Sequence, residues 1–202
     1  PFVTRSDFSW NLYKLVLLPW KIFKEVFRAL GSQNVGGIAT HHRVIIETVL
    51  GGLLILWIYV KFGGWIHFPF VGMVDLGLAY LPLMLFVYLF FVNSISVTDG
   101  LDGLLGGLLM IAFFALLPIA FAENSFESAV SLGIVLGTLF PFLYFNIYPA
   151  RFFMGNVGAL FWAGIFLGIV FLLKKEFLLF VLGGMFVIEA VSYTHLTLPT
   201  NR

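Results

Sequence analysis

The sequence predicts an all-α fold: a polytopic transmembrane bundle of about six spanning helices, preceded by an amphipathic helix in the membrane interface. Three observations predict it. Of 202 residues, 61% are hydrophobic and only 10% charged, whereas soluble domains are about half apolar and about a quarter charged. The apolar residues fall into six long stretches, each approaching the roughly 20 residues that a helix needs to cross a hydrocarbon core. The connectors between them are short and rich in turn residues, so neighbouring helices run antiparallel. The same composition excludes a soluble globule and a disordered chain, because too little polar surface exists to face water. Eleven Lys and Arg against ten Asp and Glu leave a charge of +1, which excludes an electrostatic case for nucleic acid. No cysteine is present, so disulfides, thiolate metal sites and cysteine nucleophiles are excluded. The lipid bilayer is the partner that the composition names.

The elements follow in order. Over residues 10–30, Lys14, Lys21, Lys24, Glu25 and Arg28 fall on one face, within roughly 100° at helical spacing. Residues 1–36 therefore read as an interfacial segment, kinked or split at Pro19. A spanning helix with snorkelling lysines is the competing reading. Residues 37–190 read as the membrane domain, with spans over 44–60, 76–95, 104–122, 129–148, 159–173 and 177–190. Trp57, Tyr59, Trp65 and His67 read as an interfacial belt. The chain starts at Pro1 without an initiator Met, and a preceding portion is expected. Beyond Ala190 the apolar periodicity stops, and residues 191–202 are expected to be a non-native read-through tail, resembling translated adapter sequence. A genuine polar tail is the alternative.

Basic residues set orientation. Six precede or open the first span: Arg5, Lys14, Lys21, Lys24, Arg28 and Arg43. Placing them inside puts the 98–103 and 149–158 connectors inside as well, and Lys61, the 123–128 connector and Lys174-Lys175 outside. That last pair runs against the rule.

Charges at the edge of a bilayer are costly and point to function. In Val97-Thr-Asp-Gly-Leu-Asp-Gly-Leu104, Asp99 and Asp102 stand three residues apart between two spans, with glycines that admit close approach of a ligand. Such a pair can bind a metal, accept hydrogen bonds or move a proton; equally, it can cap a helix. A second polar stretch, residues 145–159, falls on the same inner side. It carries Asn146, the cation Arg151 and a Gly155-Asn156-x-Gly158 turn entering a helix, which can direct N–H groups at an anion. Together the two describe a site for an anionic, phosphate-bearing substrate. His41-His42-Arg43 reads as a solvated helix start, and Glu47 as an i,i+4 partner of Arg43. Glu189 lies inside the last apolar segment, near its inner end.

These residues resemble the polyprenyl-phosphate N-acetylhexosamine-1-phosphate transferases, most closely the phospho-N-acetylmuramoyl-pentapeptide branch. The run Asn93-Ser-Ile-Ser-Val-Thr-Asp-Gly-Leu-Asp-Gly-Leu104 resembles the family's Asn-Ala-x-Asn-Leu-Thr-Asp-Gly-Leu-Asp-Gly-Leu. Residues 145–159 resemble its Phe-Asn-x-x-Pro-Ala-x-x-Phe-Met-Gly-Asp-x-Gly-Ser, and residues 175–189 resemble the muramoyl branch rather than the N-acetylglucosamine branch. The resemblance implies Mg²⁺-dependent transfer of phospho-N-acetylmuramoyl-pentapeptide from UDP to undecaprenyl phosphate, releasing UMP, at the cytoplasmic face of a bacterial inner membrane. It implies catalytic roles for Asp99 and position 156, and substrate contacts from Asn93, Ser96, Asp102, Asn146, Arg151 and Gly155, with Asp102 at the uracil and Asn146 near the metal. It leaves a homodimer open. The chain departs from the pattern at Asn156, where the family has a metal-binding Asp, at Ser96 for Asn, and at Ala159 for Ser. The family's paired Asp-Asp motif is not found upstream of Gly37, and its His-rich loop would follow Ala190, so these 202 residues alone are expected to be inactive. A transporter component is the rival from another class.

Overall fold

The computed structural model describes residues 40–68 and 72–197. The expected interfacial helix over 10–30 lies outside them. Among the described residues, five helices are long and apolar enough to cross a membrane: α1 (Thr40–Phe62), α2 (Tyr80–Val97), α3 (Leu104–Ala122), α4 (Phe126–Asn146) and α5 (Gly155–Leu172). Local chemistry sets their ends. Gly63, at φ +81°, closes α1, and its N–H donates to Tyr59 O at 2.8 Å. Asn124 and Lys174 take left-handed conformations after α3 and α5, so that Ser125 N–H reaches back to Ala120 O and Lys175 N–H to Val170 O. This is the Schellman arrangement, which satisfies carbonyls left over at a helix end. Pro118 and Pro141 sit inside α3 and α4, which packed membrane helices tolerate.

Helix α2 is the hub. It packs against α1, α5 and the last helix, while the antiparallel α3–α4 pair joins through α5. Gly51 of α1 lies against the Tyr88 ring of α2, where a Cβ would collide with the ring. On the other side, Phe113 of α3 meets Phe166 of α5 edge-on, with ring centroids 5.9 Å apart. Side chains such as Ile58, Ile95, Leu109, Leu132 and Phe166 are fully buried, whereas α1 and α4 leave broad apolar faces outward, as lipid-facing helices do.

Two elements differ from expectation. Residues 63–76 are not a bare connector: Trp65–Phe68 (β1) pairs antiparallel with Gly72–Asp75 (β2), Trp65 opposite Asp75 and Phe68 opposite Gly72. Leu76 N–H donates to Gly64 O at 2.9 Å and closes its base. Secondly, the sixth apolar stretch is not one continuous helix. A single turn, Leu178–Val181, precedes α6 (Gly184–Thr197), and the break falls at Gly183-Gly184, where Gly183 lies against the Phe91 ring of α2. Helix α6 also continues through Ala190 to Thr197, because the chain meets no proline until Pro199 and helix propagation is favourable once a helix has formed.

The bundle thus has a hairpin end, carrying β1–β2 and the 123–125 and 173–177 turns, and a loop end, carrying residues 98–103 and 147–154. At the hairpin end Lys175 pairs with Glu123 at 2.7 Å. Lys174 lies over the Tyr80 ring at 4.6 Å from its centroid. The two basic residues that ran against the charge rule are engaged in joining helix ends.

Candidate functional site

The loop end is assembled from two segments that hydrogen bonds draw together. Gly103, at φ +75°, turns the chain into α3, a conformation that favours glycine. Its N–H donates to Asn146 Oδ1 at 3.1 Å, and Asn146 Nδ2 donates to Phe152 O at 2.8 Å. Asn146 is 4% exposed and so ties the 98–103 turn to the 147–154 loop from within. Gly106 lets α3 and α4 approach closely here; a Cβ would stand 3.1 Å from Leu143 Cδ1 and 3.6 Å from Asn146 Oδ1. A second tie runs from Ala150 N–H to Asp102 Oδ2 at 3.1 Å. In addition, the Gly155 amide at the start of α5 lies near enough to the Asp99 carboxylate to favour its charged form. The arrangement expected from the odd and even crossings is therefore present: Asp99, Asp102, Asn146 and Gly155 meet at one end.

Partial burial pushes the Asp99 carboxyl up from its ordinary value, opposed by the Gly155 amide, since desolvation penalises the charged form and a hydrogen bond to it favours it. Asp102 has a backbone donor. Arg151 is exposed and lines a neighbouring cavity with Tyr144, Phe145, Ile147, Tyr148 and Pro149. Asn156 is exposed on the first turn of α5.

Asn93 and Ser96 lie deeper. They are 0% and 1% exposed, on the last two turns of α2, and face α1. Arg43 Nε donates to Glu47 Oε1 at 2.7 Å, and Arg43 Nη2 donates to Ser96 Oγ at 2.7 Å. Asn93 Nδ2 donates to Glu47 Oε2 at 3.0 Å and to Leu89 O at 2.7 Å. The Arg43–Glu47 pair read from i,i+4 spacing is present; its extension to Asn93 and Ser96 was not read. The available signal was Glu47 itself, an acid one turn into an apolar span that requires partners. Thr98 Oγ1 further links this end of α2 to Phe186 O of α6 at 3.4 Å.

Among the described residues, no three His, Asp or Glu side chains converge as a metal cage. Mg²⁺ does not require one, since it is commonly held by one or two carboxylates together with water and substrate phosphates. Asp99, against Gly155, and Asn156, one residue further, supply one anionic and one neutral oxygen donor at the same helix start. That set fits an ion shared with a phosphate-bearing substrate. Asn146 fits it less directly, its amide being engaged by both loops.

The family model described as glycosyl transferase family 4 matches residues 34–174, a span that contains the ties between the two loops and those between α1 and α2. The chain belongs to glycosyl transferase family 4. Among its relatives, the phospho-N-acetylmuramoyl-pentapeptide-transferase of Caldicellulosiruptor bescii is 32% identical over 157 residues, covering 77% of this chain and 49% of the relative. The proteins of the same name from Halalkalibacterium halodurans and Bacillus thuringiensis are each 44% identical, over 119 and 118 residues, covering 59% and 58% of this chain and 37% and 36% of theirs. The chain thus spans half or less of the length of these relatives. This family 4 chain is a helical membrane protein of a transferase family.

Proposed function

We propose that the loop end is the site of a phosphoglycosyl transfer in which undecaprenyl phosphate accepts phospho-N-acetylmuramoyl-pentapeptide from UDP, at the cytoplasmic face of a bacterial inner membrane. The observation that carries this reading is the drawing together of two polar loops, through Asp102–Ala150, Asn146–Gly103 and Asp99–Gly155, at the end of an apolar bundle. A lipid phosphate arrives there along the bilayer and a nucleotide arrives from water. An oxygen of the lipid phosphate attacks the sugar-linked phosphorus of the UDP-sugar, the pyrophosphate bond breaks, and UMP leaves with the bonding electron pair. Asp99 and Asn156 would hold Mg²⁺, which when bound would supply charge neutralisation for the pyrophosphate.

The chain's own residues orient the reactants. In this reading Asp102, which also accepts from Ala150 N–H, accepts from the uracil. Arg151 offers a planar donor to phosphate oxygens. The Gly155 turn presents backbone N–H groups of the α5 start to an anion, and Asp99 faces that same turn. The testing experiment measures UMP release from UDP-N-acetylmuramoyl-pentapeptide, with undecaprenyl phosphate and Mg²⁺, by a protein extended to the full length of the relatives. Release that needs both substrates supports the reading. A protein that binds neither nucleotide nor lipid phosphate, with Asn156 or with Asp at that position, refutes it.

A further inference from the structure

The hairpin end holds a cavity, of about 210 Å³, between Phe62, Trp65, Ile66, His67, Met73 and Lys174. Its walls are mostly apolar, with the His67 ring and the Lys174 ammonium as the polar exceptions. Lys174 is half-buried, and its ammonium reaches Gly63 O at 3.2 Å, Tyr80 Oη at 3.4 Å and Trp65 O at 3.5 Å. Each is longer than the roughly 2.7–2.9 Å typical of a charge-assisted bond. Among the described residues, no carboxylate lies within ion-pair distance of it, whereas its neighbour Lys175 has Glu123. A second cation flanks the same wall. Lys61 is exposed and stands 5.2 Å from the Phe62 ring centroid, while Lys174 stands 5.8 Å from that ring.

Nearby acids compensate only in part: Glu176 acts on Lys174 without an ion pair, through the Tyr80 hydroxyl that both contact. Glu123 is held by Lys175, and Asp75 Oδ1 accepts the Gly77 N–H. Glu176 is 4% exposed, with Oε1 taking the Tyr80 hydroxyl and Oε2 unpartnered. Its burial pushes the carboxyl up, towards the neutral form. The place is at membrane level: Trp65 and Met73, which line the cavity, remain 47% and 66% exposed next to the end of a spanning helix. An apolar recess flanked by two incompletely neutralised ammonium groups is complementary to an anionic amphiphile.

We propose that this cavity binds one anionic phospholipid of the adjacent leaflet, its phosphate between Lys61 and Lys174 and the start of an acyl chain against Phe62, Ile66 and Met73. The site lies at the opposite end from the transferase loops and does not depend on the reading of those loops.

The test is native mass spectrometry of the detergent-purified chain with phosphatidylglycerol or phosphatidylcholine added. Phosphatidylglycerol should be retained preferentially. Because Lys174 also holds the hairpin, the variants are Lys61→Gln and Met73→Asp, both at exposed positions, with Lys175→Gln as the control. Lys61→Gln should weaken retention roughly fivefold, Met73→Asp should abolish it, and Lys175→Gln should leave it unchanged. Equal retention of the two lipids overturns the proposal, as does phosphatidylglycerol binding that survives both substitutions. A loss with Lys175→Gln as large as with Lys61→Gln also overturns it, because it would mean non-specific attraction to the positive surface.

Discussion

Replacing Asn146 by Ala removes both ties that this side chain makes, the acceptor for Gly103 N–H and the donor to Phe152 O. The two groups left behind are not equivalent. Gly103 is half-buried against Ile147, its Cβ direction ending 3.5 Å from Ile147 Cα, so its N–H loses its partner with little access to water. Phe152 is exposed, and its carbonyl recovers a water. A buried polar group left unsatisfied costs about 1–3 kcal/mol, and a hydrogen bond exchanged for water about 1 kcal/mol, so the substitution should loosen the paired loops by about 2–3 kcal/mol. The assay is amide hydrogen exchange of the purified chain in micelles. Exchange across residues 98–103 and 147–154 should quicken roughly thirtyfold or more, since 1.4 kcal/mol is a factor of ten. The 173–177 turn at the other end of the bundle should not change. Unchanged exchange in the two loops would refute the argument that Asn146 holds them together, and equal quickening at both ends would show that the whole bundle had loosened instead.

Further outcomes follow from the same geometry. Glu47→Ala leaves the partly buried Arg43 guanidinium beside Ser96 without its carboxylate and should cost about 2–4 kcal/mol of stability; Arg43→Met with Glu47→Leu should recover most of it, as read by thermal unfolding in micelles. Gly51→Ala places a methyl group in the Tyr88 ring and should destabilise by about 1–3 kcal/mol through overpacking; an unshifted midpoint would contradict the α1–α2 contact. For Asp99, whose folded carboxyl is pushed up, the folded state binds its proton more tightly than the unfolded state. Stability from this group is therefore full below the ordinary Asp value near 3.9 and is lost as pH rises from there through the raised folded value. Asp99→Asn should flatten that pH dependence, and Mg²⁺ with UMP should offset the loss in the unsubstituted chain only. The exposed Lys175–Glu123 pair should matter little, and Glu123→Gln should leave the unfolding midpoint unresolved from the parent.

How much of this was legible in the sequence depends on the kind of signal. The five long helices were legible because a 20-residue apolar run has few other fates, and the meeting of the Asp99–Asp102 turn with the 147–154 loop followed from counting crossings. The bonds that draw those loops together were not legible, because their donors are the backbone N–H groups of Gly103, Ala150 and Gly155, which carry no residue signature. The hairpin was missed because Trp65–Phe68 is four residues long and follows Gly63-Gly64, too short a run for alternation to register. The break at Gly183-Gly184 was not read, because hydropathy alone does not register a break in an apolar helix. Asn93 and Ser96 belong to the motif that suggested substrate contact, while their burial against Arg43 and Glu47 depends on how α1 crosses α2, which no local pattern records.

At the proposed phosphotransferase site of the loop end, Asn156 stands where a carboxylate would offset more charge. The most direct measurement is UMP release by the protein extended to the full length of its relatives, with Asn156 and with Asn156→Asp side by side. Substrate-dependent release should rise roughly a hundredfold or more with the carboxylate, the magnitude of restoring one charge-stabilising group at a transferring phosphate. No release from either form, with both folded in micelles, would contradict it.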